Sequence, residues 1–466
     1  MEDERSRIED LQQRVIPLKP IYEGYNAVSQ DLIERLRERI SIEATKPSSV
    51  RKQNIVLASF LATAQQIQNK YKSLLGIARK PTYYAPYPEV GHSVVEYVTD
   101  CLVRSGLIEE IPNTGIRHFW EEGNVLNWVG IITCYSINTN LYEETGFLQA
   151  QFLDAHRPLV QVSVLESYEA KMIRESRNQV RKKLKLGEIN KLFPREYRRT
   201  GNQVAELNTF QRQHPLGLPP LDTGVQTFAA CATRTFHQAS MEAGGRYYGA
   251  WTTLGSQYRL GSTIDGEPVA EIDLNASQPT LFSAMMGIPM KVGDTWDDLY
   301  VHILDKVDLS GIDSDDTPDI KRKKIKQVAV EVIGTGNNNK EEASPLGKQK
   351  FVEGEFARYR DALNETVPAL LFLDKHHFNG AGFISYHEAQ MMTATLHRLM
   401  SMDIPAFSIH DCCLVKEADV LVATDVYRDT IRNYIKENGK GSVDVTVPVS
   451  IERKNEEKER MSGYFH

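Results

Sequence analysis

Two aspartates are the residues of this sequence best suited to phosphoryl chemistry. Asp273 ends the apolar run in VAEIDLN (269–275), and Asp411 ends the run in FSIHD (407–411). Both runs are typical of buried strands. A carboxylate at a buried strand end is costly unless a cation compensates its charge. Two such ends side by side are predicted to hold two divalent ions about 3.5–4 Å apart, the arrangement used for in-line phosphoryl displacement.

A basic stretch between the two aspartates is predicted to form a helix. It has the sequence KRKKIKQVAVEVIG and covers residues 321–334. Arg322 and Lys326 are four residues apart, so they share one helix face. A triphosphate requires such a face, because fixed cations neutralise charge as pyrophosphate leaves. We therefore predict that these two side chains bind the triphosphate of a nucleotide.

In this order, the motifs resemble the palm and fingers of family-A DNA polymerases and single-subunit phage-type RNA polymerases. The matching segments are GGRYYG (244–249), the Asp273 segment, Arg322 with Lys326, SYHEAQ (385–390), His410 with Asp411, and the terminal strand 445–451. Together they cover roughly residues 230–466. Each motif is short, but the ordered set is fairly specific. The resemblance implies an α+β fold: a right-hand polymerase with an antiparallel palm sheet and helical fingers and thumb.

The resemblance also implies a catalytic centre. Its catalytic residues are Asp273, Asp411 and His410. Its metal ligands are the two aspartate carboxylates and the backbone carbonyl of Leu274. The implied cofactor is a pair of Mg²⁺ ions, with Mn²⁺ as the alternative.

Substrate-binding residues follow from the same motifs. Nucleotide binding is implied for Arg322, Lys326, Gln278 and Gly334. Nucleic-acid binding is implied for Arg246 (in the primer–template minor groove), Tyr247 and Gln390. Two alternatives stay open: Arg246 as a structural ion-pair partner, and Tyr247 as a core residue instead of a surface on which bases stack.

Four positions depart from the family pattern, one of which is Val330, where the family usually has an aromatic residue. DNA polymerases of this family carry a Glu where this chain has Gln278, and a Tyr where it has Gly334. Those two residues exclude the ribose 2′-hydroxyl in the family. The acidic residue after the motif C aspartate is replaced by Cys412. Sugar choice is therefore open: the alternatives to a DNA polymerase are a primase-polymerase or RNA-synthesising enzyme, and an inactive polymerase-derived nucleic-acid-binding protein.

Length and composition predict a globular protein of two or three domains. The chain has 466 residues, of which 41% are hydrophobic and 25% charged. No apolar run is long enough to span a bilayer, and the N-terminus lacks a signal-like apolar core. The five cysteines are odd in number and lack zinc-type spacing. These features predict a cytoplasmic protein without a membrane partner.

Local charge is more informative than the net charge of −7. Between Lys171 and Arg199 there are eleven Lys or Arg residues and three Glu. Such an excess is able to follow a phosphate backbone, so we predict nucleic-acid contact for Arg181, Lys182 and Lys183. The alternative is a solvated helix face.

The chain divides by pattern into four predicted segments. Residues 1–82 are predicted to be helical. Residues 83–165 form a small α/β module, with a winged helix and a purely structural module as alternatives. Residues 166–229 form a basic, thumb-like helical segment and linker, and residues 230–466 the palm and fingers. The N-terminal half lacks the length for an exonuclease domain, so no proofreading is expected.

The favoured function is template-directed nucleotidyl transfer by a family-A type DNA polymerase. Its expected partners are a DNA primer–template or single-stranded template and dNTPs, with NTPs as the alternative substrate. A compact polymerase of this kind suits the replication of a mobile genetic element. A helicase or a small single-strand-binding protein is the expected accessory partner.

Overall fold

The structure is a computed structural model that describes most of the chain. The described residues are 14–20, 22–24, 27–44, 46–68, 74–78, 81–84, 90–112, 114–115, 117–122, 125–130, 132–147, 150, 152–154, 158–164, 182–217, 232–293, 296–312, 316–344, 350–375, 381–441, 445–454, 456, 458–462 and 464–465. They form a mixed α+β architecture, as predicted.

Strands and helices are interspersed along the chain. The strands are β1 Val15–Pro17, β2 Tyr22–Gly24, β3 Leu74–Ile77, β4 Ile108–Glu110, β5 Arg117–Glu122, β6 Val125–Gly130, β7 Thr133–Ile137, β8 Phe152–Asp154, β9 Val160–Val162, β10 Leu216–Gly217, β11 Thr233–Phe236, β12 Gly244–Tyr248, β13 Thr263–Ile264, β14 Glu267–Leu274, β15 Ala406–Ile409, β16 Cys412–Lys416, β17 Val445–Thr446, β18 Val449–Arg453, β19 Glu459–Met461 and β20 Tyr464–Phe465. The α-helices are α1 Ala27–Arg39, α2 Pro47–Gln68, α3 His92–Arg104, α4 Leu186–Leu192, α5 Pro194–Gln213, α6 Ser256–Arg259, α7 Ser277–Met286, α8 Leu299–Leu304, α9 Pro318–Thr335, α10 Glu355–Thr366, α11 Ala381–Ser401 and α12 Val420–Asn438.

The chain separates into two compact units. One comprises residues 1–157 and 215–231, and the other residues 158–214 and 232–466. The predicted division into four segments stays a prediction. No helix in the described ranges is long and apolar enough to cross a membrane.

The first unit is built around the long helix α2. Leu57, Phe60 and Leu61 recur at helical spacing and therefore share one face of α2. This face is buried in one apolar core. The sheet beside it has the strand order β1-β3-β7-β4. Helix α3 packs against the same core through Val95 and Val98.

The winged-helix alternative for this unit is wrong. It requires β4 and β5 to form a hairpin, but β4 pairs with β7, and β5 pairs with β6. The chain after β4 continues along β7, because the amide of Ile111 donates to the carbonyl of Cys134 at 2.8 Å. The hydroxyl of Thr114 then accepts from the amide of Cys134 at 2.9 Å.

The second unit is organised by an antiparallel sheet with β14 at its centre. Strand β14 pairs with β16 on one side and β18 on the other, with β15 beyond β16 and β19 beyond β18. Asp273 lies opposite both Cys412 and Ser450, and Ser450 lies opposite Arg460. Residues directly opposite each other in a sheet project from the same face. The register therefore places these four side chains in one row on one face.

Residues of helices α7 and α9 lie near the face of the sheet that carries Asp273. Helix α7 begins three residues after the end of β14, across a tight turn in which Ala276 has a φ of 48°. The predicted basic helix is confirmed as α9. Pro318 occupies its first turn, and the side chain of Thr317 accepts from the amide of Ile320, which are the usual signals for a helix start. The buried face of α9 includes Ile325 and Val328.

Candidate active site

One predicted aspartate lies on β14, and the other lies in the turn that leads into the neighbouring strand β16. Asp273 is near the end of β14, and Asp411 immediately precedes Cys412, its partner in β16. Burial raises the pKa of Asp273, and the negative charge of Asp411 raises it further. Lys458 opposes this increase in pKa, because its Nζ lies 2.7 Å from Oδ2 of Asp273. The two carboxylates therefore share one partly desolvated site.

A cleft of about 550 Å³ joins these aspartates to cationic side chains. The charged residues that line it are Asp273, Asp298, Asp411, Arg246, Arg322, Lys326, Lys458 and Arg460. Five of the eight are basic and three are acidic, which gives a formal excess of two positive charges. Such an excess favours a polyanionic ligand.

Helix α9 presents Arg322 and Lys326 to this cleft, as their spacing predicts. Arg322 donates to Oδ2 of Asp298, with its Nη2 at 2.7 Å and its Nε at 2.9 Å. Lys324 lies on the other side of the helix, where it is buried and its Nζ is 2.6 Å from Oε2 of Glu355. The helix is thus anchored by one cation while two others face the cleft.

The remaining predicted nucleotide contacts divide into two groups. Gln278 lies in the first turn of α7 and lines the cleft. Leu274, the last residue of β14, also lines the cleft, and its side chain is buried. Gly334 is exposed on α9 and is not part of the cleft lining. Val330, one helical turn earlier on α9, lines the cleft.

Arg246 forms a bidentate ion pair with Glu388. Its Nε donates to Oε1 at 2.6 Å and its Nη2 to Oε2 at 2.9 Å. Burial raises the pKa of Glu388 to about 7, while Arg246 opposes the increase. Glu388 lies on α11 in the predicted segment 385–390, and Gln390 of the same helix is half-buried. The structural ion-pair alternative for Arg246 is therefore realised, and Arg246 also lines the cleft.

The structure contradicts the predicted base contact of Tyr247. Its ring is 1% exposed, and its hydroxyl donates to the hydroxyl of Thr393 at 3.1 Å. Alternation along β12 explains this placement, because Arg246 and Tyr248 project from one face and Tyr247 from the other. No base is able to stack on a ring buried in this way. Tyr247 is a core residue.

His410 occupies the tight turn before Asp411, with a φ of 58°. Its ring packs edge-on against Tyr248, with the ring centroids 5.4 Å apart. Burial and the charge of Arg246 lower the pKa of His410, with burial the larger cause. A neutral imidazole is therefore favoured beside the aspartate pair.

The predicted basic contacts near residue 182 are only partly described. Arg181 lies outside the described residues. Lys182 is exposed, whereas the ammonium of Lys183 donates to the side-chain carbonyl of Gln161. The contact of these side chains with nucleic acid stays a prediction.

Sequence patterns did not identify three charged residues of the cleft. Asp298 caps α8, since Oδ1 accepts from the amides of Tyr300 and Val301 at 3.2 and 3.3 Å. Lys458, which immediately precedes β19, and Arg460, which lies in β19, also line the cleft. These two lie in the charged run KNEEKER, which by itself is typical of a solvated surface. The usable signal in the sequence was the two-residue spacing of Lys458 and Arg460, which in a strand directs both side chains to the same face.

The acidic pair fits a hard divalent cation such as Mg²⁺. Carboxylate and carbonyl oxygens are its preferred ligands, and it is usually held by one or two carboxylates together with substrate phosphates. Asp273 and Asp411 supply the carboxylates, and Leu274 lines the same cleft. A cation would also relieve the repulsion that raises the pKa of Asp273. Within the described part of the chain, no group of three or more His, Cys, Asp or Glu side chains could hold a metal ion.

We expect Asp411→Asn to stabilise the metal-free protein at pH 7.5, by on the order of 1 kcal/mol. Because the pKa of Asp273 is raised in the folded protein, its contribution to stability is full below the ordinary Asp pKa and is lost as the pH rises through the raised value. Removal of the Asp411 charge reduces this loss. Urea unfolding in EDTA at pH 5 and pH 7.5 measures the difference.

The same variant should respond less to Mg²⁺. In the wild-type protein, Mg²⁺ at ten times its Kd should add about 1.4 kcal/mol to the free energy of unfolding. Asp411→Asn should lose most of this gain. A variant that is less stable than wild type in EDTA at pH 7.5, yet equally stabilised by Mg²⁺, would contradict the shared acidic site.

Comparison with known proteins yields distant structural matches. No protein-family model matches the chain, and no curated protein matches it. Among solved structures, the chain is similar to the POL domain of Pol1 from M. smegmatis, solved in complex with DNA primer-template and dNTP. The match has a TM-score of 0.32 and 10% sequence identity, and it covers 62% of this chain and 55% of that one. This level of similarity does not identify a family, so the functional conclusion depends on the geometry of the site.

Proposed function

We propose that this protein is a template-directed nucleotidyltransferase, with DNA synthesis of the family-A type and without proofreading as the favoured activity. One observation carries the proposal. A single cleft of about 550 Å³ contains both strand-end aspartates and the two cations of the α9 face. Nucleotide polymerisation requires this combination: paired carboxylates at the reacting phosphate and fixed cations at the phosphates that leave.

The reaction would proceed by in-line displacement at the α-phosphorus of the incoming nucleotide. The 3′-oxygen of the primer forms the new bond to phosphorus and loses its proton to solvent. The bond from phosphorus to the bridging oxygen breaks, and pyrophosphate leaves with the electron pair. Asp273, Asp411 and the carbonyl of Leu274 would hold the metal ions. Bound Mg²⁺ supplies charge neutralisation and a lowered hydroxyl pKa at this site.

Positively charged side chains would then orient the nucleotide. Lys326 and Arg322 lie on the helix face that borders the cleft, so they would bind the triphosphate tail. For Arg322 this requires a change of partner or a shared contact, because it is bound to Asp298. Arg246 is fixed by Glu388 and still borders the cleft, from which its guanidinium would contact the primer–template minor groove.

Sugar choice would depend on Gln278. It borders the cleft in the first turn of α7, and its amide offers both a donor and an acceptor. A carboxylate at this position would only accept. Because Gln278 is able to accept a hydrogen bond from a ribose hydroxyl or donate one to it, the geometry also supports a primase-polymerase with relaxed sugar choice.

The test is extension of a labelled DNA primer–template in Mg²⁺. Parallel reactions contain dNTPs or NTPs, and one contains unprimed template. Asp411→Ala should yield no product, while Asp425→Ala, a matched change at an exposed position of α12, should match wild type. Extension with dNTPs alone supports the DNA polymerase. Product from NTPs, or without primer, supports the primase-polymerase instead.

One result would overturn the enzymatic proposal. If wild-type protein binds the primer–template but produces nothing in any reaction, the inactive nucleic-acid-binding alternative becomes the better account. Equal activity of wild type and Asp411→Ala would likewise remove the acidic pair from the mechanism.

A further inference from the structure

The last strands of the chain bring two more cations to the nucleotide cleft. Strand β19 pairs with β18, and β18 pairs with β14. Through this register Arg460 lies opposite Ser450, which lies opposite Asp273. Lys458 precedes Arg460 by two residues, so alternation directs both side chains to the face that carries Asp273.

Lys458 forms an ion pair with Asp273, whose carboxylate would hold a metal ion in the proposed reaction. Its Nζ is 2.7 Å from Oδ2 of Asp273 and 4.0 Å from Oε2 of Glu452. The Lys458 and Asp273 side chains are 32% and 31% exposed, so the pair is neither sealed nor fully solvated. A divalent cation on the Asp273 carboxylate competes with the ammonium of Lys458 for the same negative charge. Metal binding would therefore weaken this ion pair and favour release of Lys458 into the cleft.

Arg460 is held beside Arg322 through a shared acidic partner. Its Nη1 lies 3.3 Å from Oδ2 of Asp298, the atom to which Arg322 donates. Asp298 is 7% exposed, whereas the Arg460 side chain is 41% exposed. One carboxylate oxygen thus holds two guanidinium groups at the border of the cleft. Both keep further N–H donors, because a guanidinium has five.

We propose that Lys458 and Arg460 form a second phosphate-binding pair, in addition to Arg322 and Lys326. Lys458 exchanges Asp273 for a phosphate oxygen when a divalent cation binds that carboxylate. Arg460 contacts the same polyphosphate while it remains on Asp298. The ligand class is the pyrophosphate portion of a nucleoside triphosphate. This inference deepens the proposed nucleotidyl transfer and rests on it for the identity of the ligand.

Charge at the cleft supports an exchange over a fixed structural pair. A nucleoside triphosphate brings about four negative charges, and two divalent ions together with the existing excess of two positive charges more than compensate them. With the metals on Asp273 and Asp411, Lys458 loses its closest anionic partner, and Glu452, at 4.0 Å, is a more distant one. A phosphate oxygen supplies the replacement, with a charge-assisted hydrogen bond in place of the lost one.

The test uses two binding measurements that do not depend on turnover. The first follows free Mn²⁺ by electron paramagnetic resonance as the protein is titrated. The second measures binding of inorganic pyrophosphate by calorimetry at saturating Mn²⁺. The variants are Lys458→Met, Lys458→Arg and Arg460→Met. The matched control is Lys454→Met, which removes the same charge at an exposed position just after β18.

Lys458→Met should change the two affinities in opposite directions. It should bind Mn²⁺ several-fold more tightly, because the competing ammonium is gone. It should bind pyrophosphate about tenfold more weakly, as should Arg460→Met, which is the effect of one lost charge-assisted contact. Lys458→Arg should retain most of the pyrophosphate affinity, and Lys454→Met should match wild type in both measurements.

Two outcomes overturn the inference. One is that Lys458→Met behaves as Lys454→Met does in both titrations. The other is that Lys458→Met weakens Mn²⁺ binding. Failure of the underlying function has a different signature. If the expected shifts occur but wild-type protein never extends a primer, the phosphate site stands without the polymerase. If extension succeeds and the shifts are absent, the polymerase stands without this site.

Discussion

Lys326→Met should lower kcat/KM for nucleotide incorporation by about 10³-fold, within the range observed when a cation that stabilises phosphoryl transfer is removed. Lys326 borders the cleft from an exposed position on α9, where its charge is available to the departing pyrophosphate. Single-turnover incorporation at saturating primer–template measures the effect. The change should appear mainly in kcat, because the negative charge on the leaving group develops in the transition state.

Lys323→Met is the matched control for this prediction. Lys323 lies on the same helix, is exposed, and is absent from the cleft lining. Its replacement should leave kcat/KM within about twofold of wild type, as expected for a surface substitution. If the two variants lose activity equally, the loss comes from the helix as a whole and the assigned role of Lys326 is wrong. A change confined to KM would limit Lys326 to ground-state binding.

Lys324→Met should lower the free energy of unfolding by about 3–5 kcal/mol, the cost of breaking a buried ion pair. Glu355 is fully buried, and its Oε2 accepts from Nζ of Lys324 at 2.6 Å and from the amide of Val352 at 3.0 Å. Lys324 also pairs with Asp316. Its loss leaves the Glu355 carboxylate without a cation in an apolar setting. Urea unfolding followed by circular dichroism measures the change.

Two variants separate the ion pair from a general effect of charge. Lys323→Met should change the free energy of unfolding by less than about 0.5 kcal/mol. The double replacement Lys324→Met with Glu355→Leu should recover much of the loss, because no buried charge then stays uncompensated. A single Lys324→Met that costs no more than Lys323→Met would show that the pair does not anchor α9.

The elements that carry the predicted site residues were accessible from the sequence, because their signals are local. Apolar runs identified the strands ending near Asp273 and Asp411, and these strands are β14 and β15. The start of α9 follows from Thr317 and Pro318, a cap and a first-turn proline. Local signals of both kinds also predicted the mixed α+β fold, which the structure confirms.

Side-chain partners across the sheet were not accessible, because they depend on strand register. Lys458 and Asp273 are 185 positions apart in the sequence, and only the pairing of β14 with β18 and β19 brings them together. Tyr247 was misassigned for a related reason. The motif GGRYYG does not reveal which face of β12 is buried, and a shift of one residue exchanges the two faces.

The row formed by Cys412, Asp273, Ser450 and Arg460 has a consequence for how this chain tolerates insertions and deletions. Successive residues of a strand alternate between faces, so a single inserted residue in β14 upstream of Asp273 would turn this carboxylate away from the cleft if the pairing of the earlier residues were kept. Two inserted residues would preserve its face but move it one row along the sheet. Length variants among related chains should therefore accumulate in the connections between these strands, with the strands themselves constant in length.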